Sequence, residues 1–331
     1  MRTRALVAIA AAVVLVAAVA LSLAIGSRAI DLGTVWQALT NLDPEDPEQL
    51  IVADLRVSRT LVGVLAGSAL GVAGALMQSL TRNPFADPGL LGINAGASLA
   101  VVIALSTGIA TTFGTQVWVA FLGAGIAAVI VYSIGALGAA AGAPVRLALA
   151  GVAFTALVTS ITNAVLLLND ETLDQFRLWV AGSLTGRQNY DLTALGFIVG
   201  MAVLVGLLAS RQLQAIALGE DAARALGVRI GGTRALIIVV VTLLAGAATA
   251  AAGPIVFVGL AVPHLARALV GASLPWLIVV SAFGGAALVL VCDVIGRVIA
   301  YPSEIGVGIT TAFLGGIIFA LMARRMKVVE L

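Results

Sequence analysis

RVSRTLVGVLAGSALGVAGALMQSLTRNPFADPGLLGINAGAS, residues 56–98, sets the architecture. Between Leu61 and Leu80 it carries no charge and is mostly apolar, about the 20 residues that a bilayer demands of a spanning helix. Gly63, Gly67 and Gly71 recur every four residues on one face, and Gly92 and Gly96 repeat the spacing in the next run. Small residues so placed let two backbones approach closely in lipid, where no hydrophobic force brings helices together. Asn83-Pro84 and Asp87-Pro88 then break the helix, because a residue before proline is pushed out of the α region. One break suffices for a short turn. Two breaks flanking Phe85 allow a structured re-entry able to line or plug a path, but on these residues alone a helix-terminating turn is the favoured reading.

The same pattern continues outward. Further apolar runs fall at about 5–25, 90–108, 116–138, 147–168, 192–210, 234–252, 255–270, 275–300 and 305–323. Of the 331 residues 61% are hydrophobic and 10% charged, against roughly 25% charged in soluble domains. A water-soluble globule is excluded. The expectation is an all-α polytopic membrane protein of about ten transmembrane helices, forming a single domain over 1–331. The run at 255–270 is short and broken by Pro254 and Pro263, which predicts a tilted or irregular helix. The first run, after Arg2 and Arg4, is longer than a signal-peptide core and reads as an uncleaved span. The polar stretch Ser27–Arg59, with DPEDPEQ at 43–49, reads as an external loop holding a short helix near Thr34–Leu39. Ten spans put both termini on one side, and that side carries twelve of the eighteen Lys and Arg residues, so the termini are expected in the cytoplasm.

Rare residues narrow the chemistry. The only lysine, Lys327, precedes Val328, so no nucleotide-binding P-loop exists in this chain. One cysteine, Cys292, and one histidine, His264, cannot form an intrachain disulfide or a Cys/His zinc site. A net charge of +2, spread among apolar runs, gives no nucleic-acid surface. No catalytic residues, metal or cofactor are expected. A secondary transporter driven by protons or sodium would need ionisable groups in mid-membrane, and the apolar runs hold almost none.

ALGEDAARALGVRIGG, residues 217–232, stands out as a polar connection with a helix of its own. Gly219 and Gly227 bracket it, Glu220 and Asp221 lie in its first turn and Arg224 near its end, the polarity that suits a helix dipole. Ala222, Ala225 and Leu226 give it a small apolar face. Docking to a cytoplasmic partner and resting on the bilayer are both open on these residues.

GPIVFVGLAVPHLAR (253–267), SEIGVGITTAFLGGIIF (303–319), the LGEDAARALG stretch and residues 56–92 together resemble the permease subunits of the iron-siderophore, haem and vitamin B12 family of ABC importers, the FecCD type. The resemblance runs from about Arg56 to the C-terminus in matching order. It implies a bundle like that of the vitamin B12 importer permease, pairing with a second copy or a sister permease in the cytoplasmic membrane. It also implies two separate ATPase subunits below, an extracytoplasmic substrate-binding protein above, and alternating access. The cargo is expected to be a ferric siderophore, with haem or cobalamin as alternatives. Position alone would have the helix-end arginines snorkel to lipid headgroups. The resemblance instead implies that Arg56, Arg59 and Arg297 dock the binding protein. It further implies that Asn83 and Phe85, with Ala143 and Pro144, form the cytoplasmic gate. Gly219, Glu220, Asp221, Ala222, Ala223, Arg224, Ala225, Leu226 and Gly227 would form the ATPase-coupling helix.

The chain departs from the family pattern in having Phe85 where leucine is commoner, Ser303-Glu304-Ile305-Gly306 in place of Glu-Leu-Pro, and no charged residue in the loop 268–275. Asp293, four residues before Arg297, is expected to neutralise it. Glu304 is expected to cap the last span, His264 to make a structural hydrogen bond, and Cys292 to sit in the core. Met77 and Gln78 are candidates to face the path.

Overall fold

The computed structural model describes residues 2–26, 29–110, 112–136, 144–185 and 192–325. In chain order its helices are α1 (Arg2–Ala24), α2 (Leu32–Thr40), α3 (Pro47–Leu50), α4 (Val57–Thr81), α5 (Ile93–Ser106), α6 (Phe113–Gly135), α7 (Pro144–Leu166), α8 (Asp170–Val180), α9 (Thr193–Ala217), α10 (Glu220–Ala225), α11 (Ile230–Ala252), α12 (Val258–Val270), α13 (Leu274–Ile299) and α14 (Val307–Arg325). A π-helical stretch, Ile51–Arg56, joins α3 to α4, and a 3-10 turn, Pro88–Leu91, precedes α5.

α4 is the axis of the bundle, lying against α13, α11, α12 and α9. Its glycine face explains why. A β-carbon at Gly63 would stand 2.6 Å from the Leu290 side chain, one at Gly67 would stand 2.7 Å from Cα of Ala286, and one at Gly71 would strike the Ser281 carbonyl of α13. At Gly74 it would strike the carbonyl of Gly259 in α12. Gly96 of α5 and Gly123 of α6 meet in the same backbone-to-backbone way. The four-residue spacing thus does the packing expected of it in lipid.

Seven helices are long and apolar enough to cross a membrane: α1, the continuous helix Pro47–Thr81, α6, α7, α9, α11 and α13. α5, α12 and α14 are shorter apolar helices. Together the ten coincide with the ten apolar runs. At 14 and 13 residues, α5 and α12 reach about 20 Å, short of a hydrocarbon core of about 30 Å. Each is preceded by a stretch outside the α-helices, 82–92 with its 3-10 turn and 253–257. Such backbone survives at membrane depth only when protein buries it. Here the Ser183 amide donates to the Ala252 carbonyl at 2.9 Å, and Gly253 lies against the Trp179 carbonyl and Gly182. The short run at 255–270 is therefore an irregular entry followed by a regular helix, with Pro263 inside it.

Two elements refine the sequence reading. The loop helix near Thr34–Leu39 is α2, capped by Asp31, whose carboxylate accepts from the Gly33 amide at 2.7 Å. α8 is an amphipathic helix that the apolar runs did not reveal. Asn169 caps it through the Thr172 amide at 2.9 Å, and Phe176 and Trp179 stack at 5.9 Å on its buried side. His264 corrects an expectation, for its Nδ1 is buried without a hydrogen-bond partner among the described residues. Cys292 is fully buried, as expected.

Candidate functional sites at the two ends of the bundle

One end is closed by a buried ionic cluster where α1 finishes, α4 begins and α13 finishes. Arg59 faces Asp293 with two nitrogens, Nη2 to Oδ1 at 2.8 Å and Nε to Oδ2 at 2.9 Å, and its Nη1 donates to Glu304 at 2.8 Å. Arg297 donates to the other side of the same carboxylate, Nη2 to Oδ2 at 2.6 Å. It also reaches the carbonyls of Ser22 and Ile25 at 3.0 and 2.8 Å and the Ser22 hydroxyl at 2.9 Å. Arg56 donates to the Leu23 carbonyl at 2.6 Å. These carbonyls belong to the C-terminal end of α1, whose last turn contains no basic residue of its own. Orphan carbonyls and the negative end of the helix dipole are thus satisfied by arginines from neighbouring helices.

The three arginines are only 6%, 8% and 2% exposed in the isolated chain, for Arg56, Arg59 and Arg297 respectively. They do not snorkel into an interface. Asp293 neutralises Arg297 at the spacing expected of it, and it binds Arg59 as well. Glu304 corrects an expectation: its carboxylate pairs with Arg59 across the bundle, and no capping bond from it to α14 is seen among the described residues. Asp293 and Glu304 lie against Arg59 and Arg297, and Glu48 acts electrostatically on Arg56, so the three guanidiniums are matched by three carboxylates.

At the other end, α4 stops at Arg82, a non-glycine residue in the left-handed region at φ 53°, whose guanidinium donates to the Ile216 carbonyl of α9. The chain then turns back into the bundle. The Asn83 side chain accepts from the Phe85 amide at 2.9 Å, and the Asp87 side chain accepts from the Gly89 amide at 2.7 Å. Each Asx-Pro pair therefore builds its own turn. Pro88 reaches Gly259, which also packs on Gly74, so the loop rises beside α4 by seven residues, or about 10 Å. The segment is therefore a re-entry, the less favoured of the two readings of the proline breaks, and more than a helix-terminating turn.

Phe85, 38% exposed, meets Phe319 of α14 edge-on at 5.7 Å, and Phe319 meets Phe257 at 6.4 Å. Phe257 is the other non-glycine residue at positive φ, 68°, and it is seated on Gly315. Phe257 and Phe319 escaped the sequence reading. A phenylalanine directly before a short broken span was the available signal for the first; nothing singled out the second.

The same loop touches α7, through Leu90 at Gly151 and Gly92 at Phe154. Ala143 lies outside the described residues, and Pro144 opens α7. Gln78 and Met77 do not face an open path: both are buried, and Gln78 Nε2 donates to the Leu260 carbonyl at 3.1 Å.

The connection 217–232 contains the expected helix, α10, between Gly219 at φ 129° and Gly227 at φ 77°. Glu220 and Asp221 both pair with Arg224, at 3.1 and 3.0 Å, and Glu220 also accepts from Arg234 of α11 at 2.8 Å. Ala223 is fully buried while Leu226 is exposed. Arg234 is a further residue that spacing did not reveal.

The described residues thus form a polytopic membrane bundle of ten apolar helices, with re-entrant backbone at one end and a buried charge cluster at the other. A sequence model of the FecCD transport family matches residues 14–325, and the chain belongs to that family. It is 44% identical over 323 residues to the ferric enterobactin transport system permease protein FepD of Escherichia coli, covering 98% of this chain and 96% of that one. It is 37% identical to the siderophore transport system permease protein YfiZ of Bacillus subtilis, over 94% and 93% of the two chains. Similarity to the hemin transport system permease protein HmuU of Yersinia pestis is 36%, over 91% and 90%. A solved inward-facing metal-chelate type ABC transporter shares the fold, with a TM-score of 0.84 at 24% identity over 96% and 99% of the chains. The protein is thus a permease of the ABC-importer class, a transport subunit and not an enzyme, and its regular structure is all helical among the described residues.

Proposed function

We propose that this permease carries a ferric siderophore across the cytoplasmic membrane, with both termini in the cytoplasm. The 44% identity to a ferric enterobactin permease across nearly the whole chain is the observation that carries the cargo. Uptake by vesicles holding the permease, its ATPase and its binding protein, offered ferric siderophores, haem and cobalamin in parallel, tests it. Import of haem or cobalamin alone overturns the siderophore reading.

The two ends then have distinct tasks. The gathering of Arg56, Arg59 and Arg297 at one end of the bundle supports docking of a binding protein that presents carboxylates. Arg59 is the contact residue, its partner Glu304 being partly exposed and able to yield it. Arg297 acts from behind, holding Asp293. Arg59→Lys, which keeps the positive charge beside Asp293 but gives up the two-nitrogen fork, lowers the binding protein's stimulation of ATP hydrolysis while the chain still folds and inserts. Unchanged stimulation sinks the assignment.

At the cytoplasmic end, α10 is the surface that meets the ATPase. Asn83 and Phe85, with Ala143 and Pro144, narrow the path between two copies of the permease. The exposed residues Ile309, Phe313, Ile317 and Leu321, every fourth position of α14, support an apolar face for that second copy. Cysteines at position 83 or 85, with Cys292 replaced, crosslink between copies in one nucleotide state and separate in another. Crosslinking that is identical in every state places the gate elsewhere.

A further inference from the structure

α10 has six residues, too few to hold a helix in water on their own. Glycines at positive φ on both sides leave it free to swing. Its side chains hold it to the bundle at two points. One is Ala223, buried without exposure where α10 meets α9. The other is Glu220, which splits its two oxygens: Oε2 accepts from Arg224 within α10, and Oε1 accepts from Nη2 of Arg234, one turn into α11, at 2.8 Å. The Asp221–Arg224 pair is solvated, its carboxylate fully exposed, whereas the Arg234 side chain is only 18% exposed.

These attachments differ mechanically. A methyl seated in a hollow resists compression but gives little resistance to withdrawal, because each atom contact contributes only about 0.1–0.2 kcal/mol. A charge-assisted hydrogen bond resists withdrawal and fixes direction. A transport cycle moves its coupling element both inward and outward, so a seat alone transmits half of it. α11 is a suitable receiver. Thr233, beside Arg234, donates to Gln212 of α9 at 3.2 Å, and farther along α11 packs on α4 and on the 3-10 turn of the re-entrant loop.

We propose that the Glu220–Arg234 pair is the strut through which displacement of α10 reaches α11, making Arg234 a positioning residue for the coupling of ATP hydrolysis to transport. The proposal rests on the reading of α10 as the ATPase contact. Its test uses the complete importer in proteoliposomes, measuring ATP hydrolysis, substrate moved per ATP and retention of the ATPase through purification. Arg234→Gln keeps the ATPase bound and hydrolysing, yet lowers substrate moved per ATP by about tenfold, a loss in scale with one charge-assisted bond. Arg234→Lys, which retains the charge and one donor, recovers most of it. Full transport per ATP in Arg234→Gln overturns the strut, and so does loss of the ATPase from that variant, which would make Arg234 part of the docking surface. Ala223→Pro separates the two levels. If that variant transports normally, α10 is no coupling element and the underlying reading fails. If it is defective while Arg234→Gln is normal, only the strut fails.

Discussion

Asp293 is shared by two guanidiniums, and this makes the energetic order of two substitutions predictable. In Asp293→Asn the shape is kept and the charge removed. Arg59 then retains only Glu304, and Arg297 is left with neutral carbonyls and a hydroxyl from α1. Leaving a buried charge without its counterion costs about 3–5 kcal/mol. In Arg297→Met the carboxylate keeps its two-nitrogen contact with Arg59, so no charge is orphaned. What disappears is the charge-assisted bond to Asp293, about 1.5–3 kcal/mol, together with three ties to Ser22 and Ile25 at the end of α1 that water can replace only in part. Thermal midpoints of the purified permease in one detergent should therefore fall in the order wild type, Arg297→Met, Asp293→Asn. A cysteine placed near the end of α1, in the Cys292-free background, should become more reactive to a polar thiol reagent in Arg297→Met. Equal midpoints, or Arg297→Met as the weaker of the two, would refute the idea that the cluster is held by one shared carboxylate.

Three further outcomes follow from single contacts. Gly71→Leu forces the α4 backbone off Ser281 and should cost more than about 3 kcal/mol, seen as loss of folded protein in membranes, whereas Gly125→Leu, which has open space at its Cα, should be silent. Phe319→Ala removes the ring shared by Phe85 and Phe257, and should raise leakage of small solutes through the resting importer more than it lowers binding-protein stimulation. Ala223→Pro breaks α10 at a local cost of about 3 kcal/mol and should leave ATPase subunits poorly retained or hydrolysing without transport.

How much was legible in the sequence depends on which force sets each feature. The ten spans follow from length and apolarity, since a bilayer accepts little else. The α4 glycine face was legible for the same reason: close helix approach in lipid needs small residues at every fourth position. Asn83-Pro84 and Asp87-Pro88 announced the break in the helix because proline acts on its own neighbour, but whether the chain then re-enters depends on Gly74 and Gly259, which are distant in sequence. α8 stayed hidden because it is amphipathic and short, and Phe176 and Trp179 look unremarkable until α5 lies beside them. Long-range ionic partners were hidden more deeply. The Asp293–Arg297 pair is four residues apart and could be read, but Arg59 meets the same carboxylate across 234 positions of chain.

That last contact changes the meaning of the arginines. A sequence shows cations at helix ends, and helix ends in a membrane protein face either headgroups or a partner. The geometry supplies a third use: two of the three guanidiniums are spent on carbonyls of α1, a helix that buries little of its own surface and needs an anchor at that end. Contact with a binding protein and anchorage of α1 are compatible only if the arginines divide the work. Among the described residues Arg59 has no carbonyl partner and holds a partly exposed carboxylate that can be exchanged. Arg297 has both terminal nitrogens engaged below it. Arg297→Lys should accordingly weaken the folded chain while leaving affinity for the binding protein in surviving molecules nearly intact, and Arg59→Lys should do the reverse. Titrating binding protein against folded permease of each variant separates the two. If Arg297→Lys lowers affinity as much as Arg59→Lys does, the arginines act as one docking surface and the division of labour is wrong.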